Sequence, residues 1–257
     1  MQKNCTECGV AFECQSESRG CWCEALPAVM PLAEGAQCLC PDCLKAKIEI
    51  VEAWDAVSQQ YADRYSDEIR LKPFVQEFLP DFLANVQQEG LICDMGCGPG
   101  QVARYISQNF PERKNLCGID LSPKMIEQAS RLNPGITFEA KDVLTMPEKE
   151  IYDAIIGLYF IVNFPVDKLP LLFRKLHQLL KPGGNMVLSF HIGEDHLHRE
   201  DNLWDSGKGL SFYFFQPRTV KAALEANGFI VDEVRERQHI DGVEYPTRRA
   251  YVFCRKI

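Results

Sequence analysis

Residues 91–100 read Leu91-Ile92-Cys93-Asp94-Met95-Gly96-Cys97-Gly98-Pro99-Gly100, an apolar segment followed by closely spaced glycines. The apolar start of this stretch predicts a buried β-strand, and the glycines that follow predict a tight turn before a helix. Glycine lets the backbone approach a ligand closely and adopt turns that other residues avoid. The stretch therefore predicts a ligand-binding loop at the carboxyl end of a strand.

Strand-like and helix-like segments alternate along the chain, which is typical of a doubly wound parallel sheet. The predicted strands cover residues 91–94, 115–119, 136–139, 152–158, 185–190, 229–235 and 249–254. The predicted helices lie near residues 100–109, 122–132, 167–180 and 217–226. The last two strands are too close in sequence for a helical crossover, so an antiparallel hairpin is expected. The expected fold class is α/β, with a doubly wound, seven-stranded, mostly parallel sheet.

The glycine loop differs from a dinucleotide-binding fingerprint, which would place a third glycine where this chain has Gln101. Asp94 at the strand end would also sit badly beside a pyrophosphate, whereas it suits a cationic ligand that carries an ammonium and a sulfonium group. S-adenosylmethionine (SAM) is such a ligand. The run Asp94-x-Gly96-x-Gly98-x-Gly100 resembles motif I of class I SAM-dependent methyltransferases, and the resemblance extends over about residues 50–257.

This resemblance implies roles for other residues. Asp120 ends the second strand, where its carboxylate is suited to accept both ribose hydroxyls. Asp142 resembles the residue that accepts the adenine amine, and Tyr61 the one that covers the methionine end, although core packing is an alternative role for Tyr61. The predicted cofactor-binding residues are Tyr61, Asp94, Gly96, Cys97, Gly98, Gly100, Asp120, Leu121, Asp142, Val143 and Leu158.

Two segments are expected to contact the methyl acceptor, because substrates of open α/β sheets bind beyond the carboxyl ends of the strands. These segments are residues 158–164 and 191–215, and the second is predicted to be a substrate cap rich in His, Trp and Phe. His191 is the candidate catalytic base because imidazole titrates near neutrality. A purely structural histidine is the alternative.

Tyr159 is a candidate for orienting the acceptor, and it is predicted with His191 as a catalytic residue. Arg248 and Arg249 are candidates for holding a substrate carboxylate, and the alternative is that they are exposed residues of an edge strand without a binding role.

Eight of the twelve cysteines lie in the first 43 residues: Cys5, Cys8, Cys14, Cys21, Cys23, Cys38, Cys40 and Cys43. This segment has too few large apolar residues for a core, so a metal is the expected cross-link in a reducing compartment. The two C-x-x-C pairs suit one tetrahedral zinc ion, and the other four cysteines remain for a second ion. Two zinc sites are therefore expected, with the ligand pairing open and an iron–sulfur cluster or unligated thiols as alternatives.

The Cys21-Trp22-Cys23 core and its flanking pairs make residues 5–44 similar to the bacterial cysteine-rich CWC domain family, which supports a metal-binding module. We expect this module to span residues 1–44 and a methyltransferase domain to span residues 45–257, with the cap at 191–215. From Lys45 to about Ser66 the pattern becomes helical, and this segment is expected to be a linker leading into an amphipathic helix.

The formal net charge of −8 argues against an extended nucleic-acid surface. The longest apolar run has nine residues, Ala154–Val162, so no membrane span is expected. The start of the chain lacks the apolar region of a secretory signal, and a cytoplasmic location is expected.

The predicted function is methyl transfer from SAM to an O, N or S nucleophile of a small molecule. The alternatives are an RNA or protein methyltransferase that recruits its macromolecule through the zinc module, and a non-catalytic SAM-binding protein. Deletion of residues 1–44 is expected to lower the transfer rate only slightly for a free small acceptor and strongly for a recruited macromolecule.

Overall fold

The computed structural model describes residues 2–14, 21–27, 38–147 and 149–257. The α-helices of this part are α1 Pro41–Tyr65, α2 Pro73–Ala84, α3 Gln101–Asn109, α4 Pro123–Leu132, α5 Leu169–Leu179 and α6 Pro217–Glu225. The strands are β1 Gln2–Asn4, β2 Ala11–Glu13, β3 Ile92–Met95, β4 Leu116–Asp120, β5 Thr137–Ala140, β6 Tyr152–Leu158, β7 Leu180–His191, β8 His196–Glu200, β9 Leu210–Phe214, β10 Phe229–Arg237 and β11 Arg249–Lys256.

The central sheet has seven strands in the order β10-β11-β7-β6-β3-β4-β5. Strands β3 to β7 pair in parallel, and β11 pairs antiparallel with both β7 and β10. The predicted α/β class, the seven strands and the antiparallel hairpin are thereby confirmed. The strand order reverses between β3 and β6, and a crevice opens beyond the carboxyl ends of strands at such a switch point.

Apolar clusters cover both faces of the sheet. On one face α5 and α6 pack through fully buried residues such as Leu172, Leu176 and Val220. On the other face α2 packs through Phe78 and Leu79. Helix α2 was not predicted from the sequence. Its apolar stretch contains Pro80, which obscures the helical pattern.

Helix α1 confirms the helical pattern predicted up to about Ser66, but it begins at Pro41, so residues from Lys45 are helix and not linker. Proline suits the first helical position because its missing N–H would have no partner there, and Cys40 is the N-cap. The boundary that the sequence placed after residue 44 therefore lies inside this helix. None of the helices in the described ranges has both the length and the apolarity to cross a membrane.

The segment at residues 191–215 forms the antiparallel hairpin β8–β9, and it lies over α1. Phe212 of β9 packs edge-on against Trp54, with ring centroids 5.9 Å apart. Trp204, in the connection between the two strands, packs against Tyr61 and Tyr65 at 5.8 and 5.7 Å. The hairpin and α1 thus pack against each other, and residues of both line the crevice.

Candidate functional site

A cavity of about 620 Å³ occupies the crevice at the carboxyl ends of β3, β4, β6 and β7. Its wall comes from α1, from the loops after these strands, from the cap hairpin and from the loop before β11. Eight of the eleven predicted cofactor-binding residues line it: Tyr61, Gly96, Gly98, Asp120, Leu121, Asp142, Val143 and Leu158. Both predicted catalytic residues, Tyr159 and His191, line it as well.

The glycine loop after β3 has the backbone that its sequence predicts. Gly96 has a φ of +69°, and a Cβ there would lie 2.6 Å from the ring of Phe160. Gly98 also has a positive φ, and a Cβ there would meet only ordinary contacts, at 3.7 Å from Gln101 and 3.9 Å from Tyr61. Gly96 is therefore required for packing, whereas Gly98 gives the open surface on which a ligand can lie.

Asp120 is positioned by the same loop. Its Oδ2 accepts a hydrogen bond from the Gly98 amide at 2.9 Å, and its Oδ1 accepts one from the Ser122 amide at 2.9 Å. Burial raises the pKa of this carboxyl above its usual range, although the two amides oppose that shift. The carboxylate is thus fixed at the cavity wall with lone pairs left for ligand hydroxyls.

The predicted adenine residue, Asp142, caps the short helical turn that follows β5. Its Oδ1 accepts from the Leu144 amide at 3.0 Å, and its Oδ2 accepts from Lys47 Nζ at 2.5 Å. Lys47 is buried and also forms an ion pair with Glu7. Burial alone would lower the pKa of Lys47, but the two carboxylates raise it above its ordinary value. Sequence reasoning missed Glu7 and Lys47, since nothing in their local pattern marks them.

Aromatic and amide groups surround the predicted methionine end. The Tyr61 ring is 4.8 Å from that of Tyr65 and 5.7 Å from that of Trp54. Gln101 donates from Nε2 to Glu68 at 3.2 Å, while its buried Oε1 has no hydrogen-bond partner among the described residues. A buried amide oxygen on a cavity wall suits a ligand ammonium group. The sequence marked Gln101 only as a missing glycine.

Three predicted cofactor-binding residues, Asp94, Cys97 and Gly100, lie outside the cavity lining, and their contact with a ligand stays a prediction. Asp94 is buried, and its Oδ2 accepts from the Ala103 amide of α3 at 3.2 Å. Burial raises its pKa to about 7. Asp94 therefore supports the junction of β3 and α3, and the positive φ of Gly100, +78°, lets the loop turn into that helix.

Buried charged groups form a further part of the cavity wall, which meets the Gln101 region at Glu68. Lys72 Nζ lies 2.6 Å from Glu68 and 3.9 Å from Glu244, and Arg249 Nη1 lies 3.2 Å from Glu244. Arg237, behind the cavity wall, makes two further bonds of 2.7 Å to Glu244. Lys72 and Arg249 line the cavity and are only 4% and 1% exposed.

Tyr159 is the centre of this charged end. Its ring faces Lys72 Nζ at 5.3 Å and Arg249 Cζ at 5.9 Å, distances at which a cation is attracted to an aromatic face. The His191 ring lies 5.0 Å away. Arg248 is exposed and pairs with Glu236, so of the two predicted arginines only Arg249 faces the cavity.

His191 is held in its neutral form. Burial, with the neighbouring cations Arg249 and Lys72, lowers its pKa to about 3. Its Nδ1 is 2.6 Å from Thr247 Oγ1, and its ring packs against Phe214 at 5.1 Å. An imidazole in these surroundings is a weak base near neutral pH.

Four cysteines converge beside the cavity: Cys5, Cys8, Cys40 and Cys43, here called the cysteine quartet. Their Sγ atoms all lie within 4.8 Å of one another, and within the described ranges no other group of three or more His, Cys, Asp or Glu side chains converges in this way. The other four predicted ligands form two pairs, with Sγ–Sγ distances of 4.0 Å for Cys14–Cys38 and 3.2 Å for Cys21–Cys23. The predicted second zinc site stays a prediction.

The fold and the glycine loop define the class of protein. Residues 92–184 match the family model described as a methyltransferase domain. The magnesium protoporphyrin IX methyltransferase of Synechocystis, crystallised with bound S-adenosylhomocysteine, shares the fold with a TM-score of 0.62. That similarity covers 82% of this chain and all of the other, at 17% identity. A SAM-dependent methyltransferase of Methanosarcina mazei aligns with a TM-score of 0.59 over 69% of this chain and 97% of its own, at 15% identity. The chain therefore has the class I methyltransferase fold, and its residues 92–184 match a methyltransferase domain.

Among curated proteins, trans-aconitate 2-methyltransferase of Methylobacterium nodulans is 33% identical over 140 residues, which is 52% of this chain and 48% of that protein. Malonyl-[acyl-carrier protein] O-methyltransferase of Hahella chejuensis is 23% identical over 202 residues, or 76% of this chain and 68% of that protein. The chain spans about half the length of the trans-aconitate methyltransferases that it matches.

Proposed function

We propose that this protein transfers the methyl group of SAM to a carboxylate oxygen of a small organic acid. The observation that carries the proposal is a group of buried cations beside one end of the cavity. Lys72 and Arg249 line the cavity, and together with Arg237 behind its wall they form ion pairs with two carboxylates, Glu68 and Glu244. An unbalanced buried cation is costly, and an anionic ligand would neutralise it.

The donor end of the same cavity suits SAM. The Asp120 carboxylate is available to the ribose hydroxyls, and the unpartnered Gln101 oxygen to the ammonium group. Asp142 lies where the family resemblance puts the adenine amine. When bound, SAM supplies an activated methyl group on a cationic sulfur.

The proposed chemistry needs no general base. A carboxylate is already ionised near neutral pH, so its oxygen forms the new O–CH₃ bond as the S–CH₃ bond breaks, and the donor leaves as a neutral thioether. The protein's part is to align the two groups and to exclude water. This agrees with His191, whose low pKa makes it a poor proton acceptor. Arg249 is suited to hold a second carboxylate of the acid, which fixes the orientation of the first.

The relatives support an acidic acceptor. Two of them are named for trans-aconitate and for a malonyl-carrier protein, and the second is named an O-methyltransferase. The cap hairpin closes over α1 at Trp54 and Tyr61, which suits a small molecule better than a polymer.

The cysteine quartet is proposed to hold one zinc ion. Zinc–thiolate bonds of 2.3 Å in a tetrahedron separate the sulfur atoms by about 3.8 Å. The quartet fits this arrangement, with Cys8 Sγ 3.6 Å from Cys40 Sγ. A four-iron cluster gives each thiolate its own iron, and it would hold the sulfur atoms farther apart.

The test is a transfer assay with methyl-labelled SAM. The acceptors are a panel of di- and tricarboxylic acids, the matched primary amides, and total RNA. We expect label to enter the acids only, in a product that mild alkali hydrolyses as an ester. Transfer to RNA or to the amides, or no calorimetric binding of S-adenosylhomocysteine, would overturn the proposal.

A further inference from the structure

The cysteine quartet is built from two turns that are distant in sequence. Cys5 and Cys8 lie in the turn between β1 and β2, which is closed by hydrogen bonds of 2.9 Å from Cys5 N to Val10 O and from Gly9 N to Cys5 O. Cys40 and Cys43 form the N-cap and first turn of α1. An ion bound by all four thiolates would therefore fix the β1–β2 turn on the start of α1.

Both turns also contribute to the wall of the donor cavity. Glu7, between the two cysteines of the first turn, lines the cavity, and so does Cys43 of the second turn. Lys47 lies one helical turn after Cys43 and also lines the cavity. The quartet is thus within one turn of the groups that face the ligand.

A chain of ion pairs connects the quartet to the adenine end. Lys47 Nζ lies between Glu7 Oε1 and Asp142 Oδ2, and the side chains of all three are at most 12% exposed. Lys168 Nζ adds a hydrogen bond of 3.2 Å to the Glu7 carbonyl oxygen. The Asp142 oxygen that Lys47 contacts belongs to the side chain proposed to accept the adenine amine. Moving Glu7 or Lys47 would therefore leave a buried carboxylate without its counter-ion, which is costly.

Helix α1 also contacts the groups at the ribose end of the cavity. Its Asp55 accepts hydrogen bonds from Ser122 Oγ at 2.5 Å and from the Lys124 amide at 3.1 Å, at the N-terminus of α4. The Ser122 amide in turn donates to Asp120. A shift of α1 would thus reach both carboxylates that are proposed to hold the nucleoside.

We propose that the zinc ion of the cysteine quartet sets the affinity for SAM, because it holds Glu7 and Lys47 in place at the adenine end of the cavity. This inference rests on the proposed function only for donor binding, and it is independent of the acceptor. It gives the cysteine module a role inside the site, where the sequence alone suggested recruitment of a partner. Lys47 is a positioning residue in this account.

The test is a thermodynamic cycle on the full-length protein. Zinc content is measured by elemental analysis, and affinities for S-adenosylhomocysteine and 5′-methylthioadenosine by calorimetry. The four samples are wild type and Lys47→Met, each loaded with zinc and each stripped of it by a chelator under reducing conditions. Lys45→Met is the matched control, because Lys45 is an exposed lysine of the same helix.

In the zinc-loaded protein, we expect Lys47→Met to weaken both ligands about tenfold while the zinc content is retained. We expect zinc removal to weaken them by a similar factor, and Lys47→Met to have little further effect in the stripped protein. Lys45→Met should leave every affinity unchanged. An equal loss for both ligands would place the effect at the nucleoside, since the second ligand lacks the amino-acid part.

Folded, zinc-free wild type that binds S-adenosylhomocysteine as tightly as the loaded form would overturn the inference, and so would fully additive effects of the two changes. If the stripped protein unfolds, the reciprocal measurement decides. Saturating S-adenosylhomocysteine must then tighten zinc binding against a competing chelator in wild type and not in Lys47→Met. Zinc-loaded wild type that fails to bind S-adenosylhomocysteine would instead defeat the proposed function.

Discussion

The two ends of the cavity differ in the ion pairs that their buried charged groups form. At the adenine end, the carboxylates of Glu7 and Asp142 both pair with Lys47, and Lys168 donates to the Glu7 carbonyl oxygen. At the acceptor end, three cations share the carboxylates of Glu68 and Glu244. Counted by their ion pairs, the first group has two carboxylates around one lysine, and the second has three cations around two carboxylates.

The carboxylates of the adenine end suit a nucleoside, whose amine and hydroxyl groups donate hydrogen bonds. The cations of the other end suit the anionic acceptor proposed above, because charges inside a desolvated cavity interact more strongly than in water. Methyl transfer to an acceptor that is already ionised requires no base at this site.

The largest effect is expected for Arg249→Met, which removes the fully buried guanidinium from the acceptor end. Loss of one charge from a buried, hydrogen-bonded set costs about 3 kcal/mol, so kcat/KM for an acidic acceptor should fall by a factor of about 10²–10³. Steady-state kinetics with the best acid of the panel measure this loss.

The neighbouring Arg248→Met is the matched control, because Arg248 is exposed and pairs only with Glu236. Its kcat/KM should stay within about twofold of wild type. Affinity of Arg249→Met for S-adenosylhomocysteine should also be retained, since Arg249 lies at the other end of the cavity. Equal losses of kcat/KM in the two arginine variants would contradict a specific role for the positive charge at the acceptor end.

A smaller effect is expected at the donor end, for Asp120→Asn. Hydrogen bonds to a charged group contribute about 1.5–3 kcal/mol, and the amide keeps one acceptor, so affinity for S-adenosylhomocysteine should fall roughly thirtyfold. Asp94→Asn is the control with the same chemical change. It should alter this affinity by less than about threefold, because Asp94 lies outside the cavity lining. A larger loss in Asp94→Asn than in Asp120→Asn would support the role that the sequence suggested for Asp94.

The sequence predicted the features that depend on local pattern. The strands, the glycine loop and Asp120 follow from hydrophobic periodicity and from residues that sit directly at a strand end. Asp94 was predicted from the same local pattern, but the hydrogen bond that its carboxylate accepts from the Ala103 amide depends on how the chain turns from β3 into α3.

The charged acceptor end of the cavity could not be predicted from local sequence pattern. Lys72 lies in the connection between α1 and α2, and Glu244 in the loop before β11, and only the folded sheet brings them within 3.9 Å. The same holds for Glu7 and Asp142 at the adenine end. Because Glu7 and Cys43 line the cavity, deletion of residues 1–44 would remove part of the donor site. That deletion no longer separates a free small acceptor from a recruited macromolecule.

A further prediction concerns stability and the buried carboxyl behind the donor loop. The pKa of Asp94 in the fold is about 7, above the value of about 4 expected in the unfolded chain. The folded state therefore binds this proton more tightly, and ionisation destabilises the ligand-free protein as pH rises from 4 to 7. Asp94→Asn should remove this penalty, which is on the order of a few kcal/mol above pH 7.

Thermal unfolding of the ligand-free protein at pH 5 and pH 8 measures this effect. We expect Asp94→Asn to raise the melting temperature relative to wild type by about 5 °C or more at pH 8, and by clearly less at pH 5. The control is Asp81→Asn, because Asp81 is an exposed carboxyl on α2. If the difference in melting temperature between Asp94→Asn and wild type does not change with pH, Asp94 is ionised in the folded protein throughout this range. The region behind the donor end would then carry one more negative charge.

The smallest effect is expected for His191→Gln at the acceptor end. The pKa of His191 is about 3, so its ring stays neutral from pH 5 to pH 8 and has no proton transfer to perform on an ionised acceptor. Glutamine keeps a hydrogen-bonding group for Thr247, whereas the packing of the ring against Tyr159 and Phe214 is lost. We expect kcat/KM to fall by less than about tenfold, with pH profiles of the same shape for variant and wild type. General-base catalysis contributes about 10²–10⁴-fold to a rate. If kcat/KM falls by that much in His191→Gln, and if the variant loses a limb near pH 6.5 that the wild-type pH profile shows, His191 is the base. The acceptor would then be a nucleophile that must lose a proton.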